Sequence, residues 1–558
     1  MHRLIVTLLL ALGLTQIAWS QEAPAAIEYR RLPVADYLDH MKAGWIGQIA
    51  GVSFGAPTEF KWQGSIIPAN QTPVWKDNLI NSAFGQDDLY VEMTFLRTLQ
   101  EFGLGVSARQ AGIDFANSEY AVWCANRAGR NNLRAGIAPP DSGHPHFSRN
   151  SDDIDYQIES DFSGLVAPGL PQTVIALGDK FGRIVNYGDG LYAGMFMGGL
   201  YAEAFFESDL HRLLAAGLAC IPAESQYAEM VRDVLAWYQE NPDNWEATWT
   251  RVNDKYVKNP DYHRYAGAGI DAKTNGAYVL IGLLYGKGDP EQTMAIACRC
   301  GMDSDCNPSS AAGVLFATIG YNKLPAGFRD KLNLERKFSY TAYNFPGLVA
   351  ACEQVAREAV VQAGGRVEKD PTGEGVFVIP VQTPQPLPVE RSWEPGPIAG
   401  TRFTPEERAQ IRFPDEVALG LSKTAPGWEL SNCGFDMGAP GLLSDFRGRK
   451  DIFVTHPLDQ TTGSVLSRDL TIPEGKQTFL NIVVGHDSRA DWELIVRADG
   501  KVLLDQIVGK DTTDRGWLTK SVDLSEFAGK TIHVELVNQP TGWAWEAAYW
   551  SKVEVVSR

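Results

Sequence analysis

Two periodicities divide the chain. From residue 33 to about residue 360, apolar residues recur every three or four positions, as in YLDHMKAGWIGQIAGVSFG, VEMTFLRTLQEFGL, MVRDVLAWYQE and GAYVLIGLLYG. This spacing predicts amphipathic helices. The same stretch carries small residues four apart: Gly47, Gly51 and Gly55; Gly190, Gly194, Gly198 and Ala202; Ser309, Gly313 and Ala317. A glycine inside a helix costs about 1 kcal/mol against alanine. A stripe of them therefore predicts helices whose backbones meet closely. For Gly55, two residues before Pro57, a turn is the competing reading.

After about residue 415 the pattern alternates over short runs, in TFLNIVVGH, WELIVRA, KVLLDQIVG, KTIHVELVN and SKVEVVSR, with turns such as Asp499-Gly500 between them. That is the pattern of a β-sandwich, here read as jelly-roll-like. Between the two regimes, PTGEGVFVIPVQTPQPLPVERSWEPGPIAG is proline-rich and reads as an extended linker, with VFVIPV as a strand laid on the first domain. At the N-terminus, His2 and Arg3 precede an apolar run from Leu4 to Leu14, and Ala18-Trp19-Ser20 offers a small-residue cleavage site. This reads as a secretory signal cut after Ser20, for a secreted or periplasmic protein. The run is too short to span a membrane comfortably, and no cysteine follows the cut to take a lipid. The expected organisation is thus a signal peptide (1–20), an all-α domain (21–362), a proline-rich linker (363–414) and an all-β sandwich (415–558).

Composition adds exclusions. A formal net charge of -18 argues against nucleic acid and anionic membranes as partners. The seven cysteines are an odd, sparse set, not a disulfide framework. Cys298, Cys300 and Cys306 cluster, but without zinc-ligand spacing or a nearby histidine. They read as buried thiols.

The acidic residues carry the chemistry. In GMDSDCNPSSAAG, Asp303 and Asp305 precede a helix expected to start near Asn307. A helix cap needs one aspartate, and two are present. Upstream, GQDDLYVEMTFL puts Asp87 and Asp88 at another helix start. Adjacent carboxylates repel unless a cation or protons intervene. Two such pairs meeting would form an oxygen-rich site for one or two hard cations, Mg²⁺, Mn²⁺ or Ca²⁺ rather than zinc. Asp152, Asp153, Asp155, Glu159 and Asp161 crowd a third segment, Asp189 sits between two glycines, and Glu59 follows the first glycine-striped helix. Taken singly, each is more often a turn or surface acid.

Together these residues resemble the ADP-ribosylglycohydrolase family. The family's opening glycine-bearing helix and its proline- and glutamate-containing loop are similar to Gly47 through Glu59. Its upstream Thr-Asp-Asp-Thr motif has QDDL at 86–89 in its place, and its downstream Gly-x-Asp-x-Asp-Thr-Asn motif is matched by GMDSDCN at 301–307. The likeness covers most of residues 33–355. It implies a compact all-α fold with two Mg²⁺ between the motifs, held by Asp87, Asp88, Asp303 and Asp305. Gln86 and Cys306 stand where the family has threonine ligands. Gln86 still offers a carbonyl oxygen, whereas Cys306 suits Mg²⁺ poorly, which favours Ca²⁺ or a single ion. Glu59 resembles the family's mobile-loop glutamate. The central segments look like those of a secreted bacterial subgroup and depart from the usual family wording where the substrate should sit. Asn186, Tyr187 and Asp189 are the substrate-binding candidates there.

The resemblance implies metals that bind sugar hydroxyls and orient the anomeric carbon. One carboxylate would activate water and another acid would protonate the leaving group. The candidates are Glu59, Asp155, Glu159 and Asp161, with Glu59 or Asp161 foremost as base. The expected activity is an exported, metal-dependent hydrolysis of a glycosidic bond. Two substrate classes compete: an ADP-ribose conjugate, and a glycan or glycoside, which export and the appended sandwich favour. A non-catalytic glycan-binding protein is the third reading, with Trp543, Trp545 and Trp550 as sugar-stacking candidates against the simpler expectation of buried tryptophans.

Overall fold

Backbone contact between two small-residue helices organises the N-terminal half. The computed structural model describes residues 28–558 apart from 264–266, 268, 414, 435 and 543. The signal-like segment 1–20 lies outside the described residues. Five helices position the site: α1 (Val34–Gly55), α2 (Asp87–Phe102), α3 (Cys124–Arg134), α4 (Asp189–Ala204) and α5 (Cys306–Ile319). Helix α1 is buried from Ala43 to its end. Its glycine stripe lies on α5: a Cβ on Gly47 would be driven into the Ala312 carbonyl, and one on Gly51 into that of Pro308. At Gly55, the last helical residue, it would strike the Ser304 carbonyl, so close approach accounts for this glycine and not a turn. The second stripe seats the acidic segment 151–164. A Cβ on Gly190 would stand 2.7 Å from the Ser151 carbonyl, and one on Gly194 would collide with Tyr156.

A small antiparallel sheet closes the helical unit. Strand β1 (Tyr29–Pro33) pairs with β3 (Gly375–Pro380), which also pairs with β2 (Arg366–Lys369). The run Val376 to Ile379 is continuously buried, which is why it is apolar without alternation. The VFVIPV strand therefore belongs to the helical unit.

The proline-rich stretch beyond it is extended, as its composition predicts, but it is bonded along its length to the helical unit. Tyr192 Oη donates to the Pro388 carbonyl (3.0 Å), Arg183 pairs with Glu390 (2.9 Å) and Ser392 Oγ donates to Asp152 (3.0 Å). The Ala399 and Thr401 amides donate to the two oxygens of Asp141, and the Arg412 amide to Asn117. Proline removes backbone donors and so denies this segment a sheet, yet side chains and the remaining amides anchor it as a strap.

Two antiparallel five-stranded sheets follow. One runs Lys501–Val508, Trp492–Ala498, Thr531–Gln539, Ser464–Thr471, Glu429–Ser431; the other runs Trp517–Asp523, Thr478–His486, Ala548–Ser557, Arg449–Thr455, Gly441–Phe446. Their inward residues, among them Phe453, Val484 and Trp492, form a separate core. Trp550 belongs to that core, with its indole donating to Thr455 (2.9 Å). Trp545 is exposed, with the Arg489 guanidinium 3.3 Å above its ring. Trp543 lies outside the described residues. The sandwich touches α3: Arg127 donates to the Gly438 carbonyl, and Arg134 lies 3.6 Å from Glu416. All seven cysteines are unpaired. Among the described residues no helix is long and apolar enough to cross a membrane.

Gly51→Val should destabilise the protein by about 3 kcal/mol or more, because neither backbone can retreat. Gly105→Ala, where a Cβ meets nothing within 4 Å, should be nearly neutral. Thermal melts of both variants test the seam. A chain ending after residue 413 should melt cooperatively. One ending at 362 loses β2, β3 and the strap and should melt lower or precipitate, and equal melting of the two would refute a structural strap.

Candidate active site

Four acid-bearing segments converge. Asp87 and Asp88 open α2. Asp303 and Asp305 lie in the turn before α5, which Gly301 (φ +83°) and Met302 (φ +56°) allow. Asp305 occupies the N-cap position of α5, yet its side chain makes no capping hydrogen bond. Helix capping therefore does not explain this pair. Glu59 follows α1, and its loop is tied to the same turn: the Phe60 amide donates to the Met302 carbonyl (3.0 Å), the Met302 amide to that of Trp62 (2.8 Å), and the Thr58 and Ser304 hydroxyls meet at 2.7 Å.

Cys306, the first residue of α5, links the two aspartate pairs. Its Sγ donates to Asp88 Oδ1 at 3.3 Å and lies 3.9 Å from Asp305 Oδ1. One ligand atom each of Asp303, Asp305 and Cys306 lie within 4.8 Å of one another, all buried. Asp88 Oδ2, Asp303 Oδ1 and Glu159 Oε2 are buried without a hydrogen-bond donor. Among the described residues, no lysine or arginine forms an ion pair with these carboxylates. Burial, and then Asp305 and Asp87, push Glu59 up to about 7. Burial, and then Asp305, push Asp87 up to about 6. Asp88 and Asp303 are held well above the usual carboxylate range by burial and by their acidic neighbours. Orphaned carboxylate oxygens without a counter-ion suit a divalent cation, and Asp87, Asp88, Asp303 and Asp305 are the residues fitted to hold it. Glu59 and Asp87 lie on the solvent side of the cluster, Glu59 exposed and Asp87 half-buried.

The third segment folds back onto the N-terminus of α3. Asp153 accepts from the Ala125 amide (2.8 Å), Asp155 from the Asn126 amide (2.5 Å), and Glu159 from the Asn126 side chain. A helix N-terminus carries partial positive charge and favours anions, and here two carboxylates occupy it. Asp155 and Glu159 feel each other and Asp87, so they face the cluster.

Gln86 precedes α2 and makes no side-chain cap. The remaining candidates have other partners. Asp161 is fully buried and accepts from Tyr201 (2.7 Å), beside Glu92. Asn186 holds Asp153 from behind, spending its amide on Ser151 and Asp153 and its oxygen on the Tyr156 amide. Asp189 accepts from the Tyr227 amide (2.8 Å) and faces buried Lys273, which pairs with Asp271 at 2.9 Å. Tyr187 accepts from the Gly396 amide of the strap (3.1 Å). These three therefore support the site or the strap and do not line the cluster. The fold adds Asn126 and Asp153 to the residues that shape the site, and brings Cys306 between the aspartate pairs. Asp153 is one of the five acids of the third segment, whereas no sequence signal marks Asn126.

A family model described as ADP-ribosylglycohydrolase matches residues 33–362. Among solved structures, the chain is similar to an ADP-ribosylglycohydrolase-related protein complex at 15% identity, covering 58% of this chain and 99% of that one, with a TM-score of 0.38. It is also similar to a cyclase from Fischerella sp. TAU (11% identity, 24% of this chain, 86% of that one, TM-score 0.20) and to the CBM22-1 xylan-binding domain from Paenibacillus barcinonensis Xyn10C (13%, 25%, 91%, 0.19). No curated protein matches.

These shifts fix a pH dependence. The folded protein keeps protons on Glu59 and Asp87 up to about 7 and about 6, whereas an unfolded chain releases them near about 4. Without a divalent cation, stability should therefore fall as pH rises from about 4 through about 7, and the buried Asp88 and Asp303 act in the same direction. Excess Mg²⁺ should flatten that slope. Melting temperatures across this range in chelator and in Mg²⁺ test it, and a flat chelator curve would contradict it.

Proposed function

Because the chain belongs to the ADP-ribosylglycohydrolase family over residues 33–362, we propose that it hydrolyses a glycosidic bond at the carboxylate cluster, with a divalent cation, and that its substrate is a neutral glycan or glycoside. One observation carries the substrate choice. The helix N-terminus at the cluster, the natural seat for a phosphate, already has its Ala125 and Asn126 amides committed to Asp153 and Asp155. A diphosphate entering there would meet carboxylates instead of donors. A sugar has no such conflict.

Exposed aromatic residues near the cluster support the same reading. Tyr340 is 67% exposed, held at φ +62°, and packs edge-on against Tyr90 and Tyr120. Tyr90 lies one helical turn beyond Asp87. Trp123, 53% exposed, precedes α3. Aromatic faces stack on sugar rings. The N-terminal signal pattern adds export, where glycans are the commoner substrate. Hydrolysis of an ADP-ribose conjugate is the competing reading, and family membership alone favours it.

When bound, the cation would neutralise the aspartates and supply Lewis acidity to substrate oxygens. The chain's own residues do the rest. Asp87, Asp88, Asp303 and Asp305 hold the cation. Glu59, near neutral pKa and exposed on the open side, exchanges a proton at its carboxylate as general acid or base. Asn126 orients Glu159 and the α3 amides fix Asp155, so these carboxylates keep one geometry as the sugar docks.

Asp303→Asn should lower hydrolysis by about a hundredfold or more, since even outer partners of metal ligands reach that scale. In chelator its melting temperature should hold or rise, because one of several mutually repelling charges is gone. Its gain on adding Mg²⁺ should shrink. Release is measured from neutral aryl glycosides beside ADP-ribosylated protein. Turnover of only the ADP-ribosylated protein would overturn the substrate reading, and full activity in Asp303→Asn would overturn the site.

A further inference from the structure

Cys306 differs from the other buried cysteines. Cys220 donates to a backbone carbonyl and Cys298 lies beside the Thr58 hydroxyl. Cys306, only 6% exposed, has Asp88 and Asp305 within hydrogen-bonding reach and is ringed by Asp303 and Asp87 as well. Packing gives no reason to set a thiol among four carboxylates. Its Sγ stands 3.3 Å from one aspartate pair and 3.9 Å from the other. Two ligands of one tetrahedral ion, an oxygen at about 2.0 Å and a sulfur at about 2.3 Å, lie about 3.5 Å apart. The observed separations bracket that value. Independently, the buried oxygens Asp88 Oδ2 and Asp303 Oδ1 lack any donor, so the cluster is short of positive charge where the sulfur sits.

We propose that Cys306 Sγ is itself a ligand of the cation held by Asp88, Asp303 and Asp305, and that it turns the site from Mg²⁺ toward a borderline ion such as Zn²⁺ or Co²⁺. Sulfur is a soft donor that Mg²⁺ and Ca²⁺ bind weakly and Zn²⁺ binds well. On binding, the S–H bond now directed at Asp88 breaks, the proton leaves to solvent, and the sulfur–metal bond takes its place. On this reading the site is not the hard, all-oxygen one that the aspartates alone would make. The inference rests on the reading that the cluster holds a divalent cation.

Cobalt tests it without relying on activity. Metal-free full-length protein is titrated with Co²⁺ and followed in the near ultraviolet, where thiolate ligation gives a sulfur-to-cobalt charge-transfer band. The wild type should show the band. Cys306→Ser, which keeps size and offers a hard oxygen, should bind Co²⁺ without it, and Cys306→Ala repeats the test should the serine variant fold poorly. In a parallel titration Cys306→Ser should lose about tenfold or more in Zn²⁺ affinity, the scale on which even outer-shell partners act, while Mg²⁺ affinity holds or rises. Cobalt binding without the band, a band that survives in Cys306→Ser, or equal losses of Zn²⁺ and Mg²⁺ would each overturn the sulfur ligand alone. A wild type that binds none of the three ions would overturn the cation site, and the ligand with it.

Discussion

Everything at the site depends on two helix backbones touching. Helix α1 and helix α5 meet through Gly47 and Gly51, at a distance no side chain permits. That contact sets the start of α5, and with it Asp303, Asp305 and Cys306, beside the end of α1, where Glu59 begins its loop. The glycines of α4 do the same for the acidic segment 151–164. Both seams are packing contacts. Each fixes where a run of acids must lie, and rigid elements placed this way hold a site more sharply than loops do.

The acids are costly to gather. Most of them are buried, and among the described residues none has a basic partner; they raise one another's proton affinity, and the fold offsets only part of the repulsion through the N-terminus of α3 and the Asn126 amide. Such unresolved strain in a cluster marks a place kept for chemistry at the expense of stability. A second buried charge network, Asp271 and Asp189 around Lys273, by contrast contains its own cation. The difference between the two separates a site from a scaffold.

Much of this was readable from the chain. The change of period from helical to alternating located both halves, because each half buries one face against its own core. The paired aspartates and the glycine stripes were visible because repulsion and helix propensity make them expensive without a reason. The rest was hidden for physical causes. Proline content reports missing donors and not missing contacts, so the extended linker is legible in the sequence and its bonds to the helical unit are not. Asn126 acts through a partner thirty-three residues away in Glu159, a relation no periodicity carries. Trp550 and Trp545 sit close in sequence, but strand alternation and a turn send one into the core and the other to the surface. Cys306 stands out in the sequence as an odd substitution, yet its position between two aspartate pairs exists only in the folded chain.

The small sheet has a consequence for how the protein is made. Register pairs Tyr29 with Pro380, so this early strand waits for almost the whole helical unit before its partner leaves the ribosome. Long-range strand pairing of this kind is slow, and an unpaired strand in a nascent chain invites mispairing. The strand is built for the delay. It is five residues long, ends in Pro33, and carries Arg30 and Arg31, which later find Glu203 and Glu368. Until then its charge keeps neighbouring chains apart, and the last step in closing the hydrolase unit belongs to residues synthesised after its final helix.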